Sequence, residues 1–88
     1  MKQYKSERTL NNAVDKWFMD IVVNKLHFKG NIEDEEEIKK FLKVKKIHVV
    51  SGMNPKHNTE TIILQHINNN KIKYECNIDY INLTLETR

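Results

Sequence analysis

The apolar residues of this chain change rhythm near residue 46, and that change constrains the fold more than any motif does. Before it they recur every three or four positions, as Leu10, Val14, Trp17 and Ile21, then Ile38, Phe41 and Leu42. After it they alternate, as Ile47 and Val49, Ile63 and Ile67, then Ile72, Tyr74, Cys76 and Ile78. The first spacing lines one face of a helix and the second lines one face of a strand. The pattern predicts an α+β fold: two N-terminal helices packed on a three-stranded antiparallel sheet, in the order ααβββ. Eighty-eight residues allow a single domain, 1–88, with a small core.

The first helix is expected from near Ser6 to Phe28, with Ser6 or Thr9 as its cap and Gly30 as the left-handed residue that ends it. Leu10, Val14, Trp17, Ile21 and Phe28 form its main stripe. A second stripe of Met19, Val22, Val23 and Leu26 lies roughly opposite. Asn31 is the expected cap of the second helix. Glu33 to Glu37 at its start and Lys39, Lys40 and Lys43 toward its end oppose the helix dipole. Glu35–Lys39 and Glu36–Lys40 have the spacing of i,i+4 ion pairs.

The sheet is expected to begin at Lys46 or Ile47. Met53 to Asn58, around Asn54-Pro55, reads as a loop, and Glu60 to Ile67 reads as a strand. A turn from Asn68 to Lys71 sets Ile67 opposite Ile72 and Ile63 opposite Cys76. Ile63, Ile67, Ile72, Tyr74 and Cys76 then face the helices. The run from Ile72 to Leu85 exceeds a typical strand of about six residues, and its phase slips at Tyr80-Ile81. A bulge or bend is expected near Asp79-Tyr80.

The net charge of +3 permits contact with nucleic acid without demanding it. Of the 15 basic residues only Arg8 and Arg88 are arginine, the side chain that forks onto bases and phosphates. The lone Cys76 excludes an intramolecular disulfide and points to a reducing, cytoplasmic setting. No apolar run nears the ~18 residues of a membrane span, and the opening residues lack the apolar core of a secretory signal. Asn82-Leu83-Thr84 matches a glycosylation sequon that such a setting leaves unused. His27, His48, His57 and His66 lack metal-ligand spacing, so no metal, cofactor or catalytic residue is expected. A small nuclease using a histidine pair ranks last among the readings.

The leading expectation is a non-enzymatic binding module acting by protein–protein contact. Met19, Val22, Val23, Lys25 and Leu26 are its expected surface, for a protein partner or a homodimer. The abundance of Lys, Ile and Asn fits AT-rich codons, as in low-GC bacteria and their phages, and with the small size it fits a regulator or inhibitor from a phage or other mobile element. The alternative is a nucleic-acid-binding accessory protein using Lys39, Lys40, Lys43, Lys45 and Lys46. No arginine or aromatic reader is interleaved with those lysines, so that contact is expected to be weak and sequence-independent.

Overall fold

The computed structural model describes residues 1–88. The fold is α+β, with two helices on one face of a five-stranded antiparallel sheet, two strands more than the alternation predicts. In chain order the elements are β1 (Lys2–Gln3), α1 (Glu7–Asp20), α2 (Glu35–Val44), β2 (Ile47–Asn54), β3 (Thr59–His66), β4 (Asn69–Asp79) and β5 (Thr84–Thr87). The sheet order is β1-β5-β4-β3-β2, so β1 and β2 are its edges.

Ser6 caps α1 through a reciprocal box: its hydroxyl accepts from the Thr9 N–H, and Thr9 Oγ1 accepts from the Ser6 N–H, each at 3.2 Å. The helix runs on through a π-helical turn, Ile21–Lys25, where the β-branched run Ile21-Val22-Val23 sits. There the Leu26 N–H reaches the Ile21 carbonyl at 2.9 Å. Ile21 and Val22, at the start of that turn, are both buried. His27, at φ 65°, ends the segment in place of Gly30, which is not left-handed. Gly30 serves close approach instead: a Cβ there would lie 2.7 Å from the Phe28 ring.

Asp34, not Asn31, caps α2, its carboxylate accepting from the Glu37 N–H at 3.1 Å. Asn31 makes a local turn onto the Glu33 N–H at 3.0 Å. The expected i,i+4 pairs are replaced by one exposed i,i+3 pair, Glu36–Lys39, at 3.6 Å. Such a pair contributes at most about 1 kcal/mol. Lys46, at φ 60°, turns the chain from α2 into β2.

The β3–β4 register differs from expectation by one residue. Ile62 pairs with Cys76 and Leu64 with Tyr74, while Ile63 opposes Glu75 on the sheet face away from the helices. Ile67 lies in the turn with 65% of its surface exposed. The cause is a tighter turn, which pairs His66 with Asn69, followed by a register shift between Gln65 and His66. Ile72, Tyr74 and Cys76 do pack toward the helices. Where a bend was expected, a turn over residues 80–83 reverses the chain and β5 pairs back onto β4. Asp79 Oδ1 accepts from the Ile81 and Asn82 N–H groups at 2.9 and 3.0 Å, and Oδ2 from the Asn82 side chain at 2.8 Å. Those hydrogen bonds, from Asn82 first, hold the Asp79 carboxyl below the usual range. β1 then closes on β5, with the Tyr4 N–H donating to the Leu83 carbonyl at 2.8 Å.

Two buried clusters result. Ile21, Val22, Phe28, Ile38, Leu42, Ile47 and Leu64 fill the space under α2, and Leu10, Cys76, Ile78 and Leu85 fill the space under α1. Trp17 and Ile62 pack against both.

Candidate protein-binding edge

The predicted contact stripe is not a free surface. Val22 is fully buried in the cluster under α2, and Met19 and Leu26 pack half-buried against the same cluster. Val23 is half-buried and only Lys25 is exposed. The cover comes from two sides, because Ile38 and Leu42 of α2 and Ile47 and Leu64 of the sheet belong to that one cluster. As a docking surface, Met19, Val22, Val23 and Leu26 are corrected to core and its margin.

The lysine run is divided by the fold. Lys39, Lys43 and Lys46 line one shallow depression with Ile47, His48 and Val49. Lys40 is not among its lining residues, and the Lys45 ammonium lies 5.7 Å from the centre of the Phe41 ring. His48 pairs with Gln65 and His66 with Ile47, so the two histidines are not cross-strand partners. His66 Nδ1 accepts from the Asn68 N–H at 3.0 Å. No group of three or more His, Cys, Asp or Glu side chains is arranged to hold a metal ion. Cys76 is buried, and burial pushes its thiol up to about 11, which suppresses the reactive thiolate.

The structure draws attention instead to β2. Every residue of this strand after Ile47 is exposed, including Val49 (40%), Val50 (46%) and Met53 (57%). Its residues 47–54 contain no lysine, arginine, acid or proline. Edge strands are ordinarily blunted by such residues, by bulges or by shortness. The opposite edge, β1, has two residues; β2 has eight in unbroken register with β3.

The hydrogen-bond pattern fixes which backbone groups are open. The Ile67 N–H donates to the Lys46 carbonyl at 2.9 Å. Antiparallel pairs alternate, so His48, Val50, Gly52 and Asn54 aim their backbone groups at β3. Ile47, Val49, Ser51 and Met53 aim theirs at the open edge. Side chains add apolar surface on both faces: Val49 and Met53 on the helix face, and Val50 beside its partner Ile63 on the other.

A groove of about 650 Å³ opens beside Val49. Phe18, Met19, Ile32, Ile38 and Leu42 give it an apolar lining, and Asp15, Glu33, Glu35 and Lys39 complete its wall. Sequence reading missed this site. Its signal was present, an uncharged strand between Lys46 and Pro55, but strand order alone makes β2 an edge.

Comparison with known proteins finds no matching family model, no similar curated protein and no similar solved structure. No helix is long and apolar enough to cross a membrane.

Proposed function

We propose that this chain is a small non-enzymatic binding module that takes up another polypeptide by strand addition along β2. The observation that carries the reading is the edge itself: eight residues with no lysine, arginine, acid or proline, exposing Val49 and Met53 on the helix face and Val50 on the other. An added strand satisfies the open N–H and C=O groups of Val49, Ser51 and Met53, and its alternate side chains reach the groove beside Val49. Size and composition fit a regulator or inhibitor from a phage or other mobile element. A lone, buried thiol fits work in a reducing cytoplasm.

Ser51→Pro tests the reading, because it removes an outward N–H that the fold does not use. Tagged wild-type and variant chains, matched by circular dichroism, are used to capture proteins from a lysate of a low-GC bacterium. Wild type is expected to retain proteins that the variant loses. In the purified complex the amides of Val49, Ser51 and Met53 slow in hydrogen exchange. Equal retention by both chains, with those amides still exchanging freely, overturns it.

The second reading is phosphate contact by the lysines, favoured by the depression that gathers Lys39, Lys43 and Lys46.

A further inference from the structure

We infer that the polypeptide received at β2 is a second copy of this chain, paired antiparallel about a two-fold axis through Ser51; the inference rests on the strand-addition reading above. An axis normal to the sheet keeps the helices of both copies on one side, so paired residues share a face and the axis passes through a residue. Ser51 is the midpoint of the uncharged stretch His48–Asn54 and has its backbone groups facing outward. Centring there pairs Ser51 with Ser51, Val49 with Met53, Val50 with Gly52 and His48 with Asn54. The pairs at Val49, Ser51 and Met53 exchange hydrogen bonds using the groups that the monomer leaves open.

Two features with no use inside one chain gain a use in this arrangement. Gly52 weakens a strand in which nothing of its own chain needs the missing side chain: a Cβ there meets no atom within 4 Å, and its φ is not positive. In the paired strands, Val50 of the second copy lies across that bare backbone. Met53 is largely exposed, and the groove beside Val49 is apolar. The register sets Met53 of the second copy next to Val49, at the mouth of that groove, where a flexible thioether side chain fills irregular space. No charged residue falls within the paired stretch. Lys46 and Lys56 lie just beyond its ends, so each rim brings like charges together. Salt that screens them tightens the dimer, opposite to its effect on a contact with an acidic partner.

Light scattering coupled to size exclusion tests this on the full chain. Wild type is expected to double in mass on concentration, more readily in high salt. Ser51→Pro is expected to raise the dissociation constant at least about tenfold with the melting transition retained; Val49→Lys serves the same purpose should the proline unfold the chain. Ser51→Cys is expected to cross-link to itself on mild oxidation, since a pair on the axis has its Cα atoms about 5.5 Å apart, within disulfide reach. Val49→Cys, opposite Met53, is not. A monomer at all concentrations overturns the inference, and the strand-addition reading still stands if Ser51→Pro alone loses captured proteins. A dimer indifferent to Ser51→Pro and Val49→Lys, or a Val49→Cys cross-link without a Ser51→Cys one, also overturns it.

Discussion

Cys76 shows how one position sets its own chemistry. Its side chain is fully buried between α1 and the sheet, beside Leu10, Ile78 and Leu85. Burial raises the thiol from about 9 to about 11, because the low-polarity surroundings disfavour the thiolate. The folded-state value lies above the unfolded one, so the neutral thiol contributes stability that is complete below about pH 9. That contribution is lost as pH rises toward 11. Tyr80 adds in the same direction, raised to about 12 by burial and by donating to Glu60 Oε1 at 2.6 Å. Two outcomes are expected: native protein at pH 8 takes up no iodoacetamide until denaturant is added, and the melting temperature falls between pH 9 and 11. Rapid alkylation of the native chain would show that the thiol is accessible.

Among the elements, α1 and the π-turn that continues it are apolar on two sides, and both sides are covered. Val22 shares one cluster with Leu64 and Ile47 of the sheet and with Leu42 of α2. A carboxylate there is a buried charge without a partner, costing several kcal/mol against a total stability on the order of 5–10 kcal/mol. Val22→Asp is therefore expected to abolish the cooperative thermal transition seen by circular dichroism. A variant that keeps the transition and loses only self-association would return the stripe to the surface.

On the scale of the whole molecule, charge and shape separate. Acidic residues open α2 and lysines close it, while the long bare edge of the sheet carries no charge. Lys46 and Lys56 flank that uncharged stretch. Binding to duplex DNA is expected to be weak and sequence-independent. Replacing Lys39, Lys43 and Lys46 together is expected to flatten the log-affinity against log-salt slope by about 2–3. Titration at several salt concentrations reads this directly, and tight base-specific binding at physiological salt would contradict it.

Local pattern was enough for two helices ahead of the long strands, a hydroxyl cap at Ser6 or Thr9, the inward faces of Ile21, Leu42, Tyr74 and Cys76, and a turn at Pro55. Each is written in a period or a local hydrogen bond, which short stretches of chain specify. Local pattern did not place β1 ahead of the helices or carry β2 through Met53 and Asn54. Tertiary structure decided the rest. Ile62-Ile63-Leu64 is apolar throughout, so either phase satisfies alternation, and the choice fell to the turn at Ile67 and the bulge beside it. The β4–β5 turn contains no glycine or proline; it depends on Asp79 and on Leu83 at φ 55°. β1 is too short to carry a pattern. The candidate site belongs to this second group. An uncharged strand is unremarkable between two neighbours and becomes a template for another chain only at an edge. Which strand is the edge depends on pairings between residues far apart in sequence, which no local pattern records.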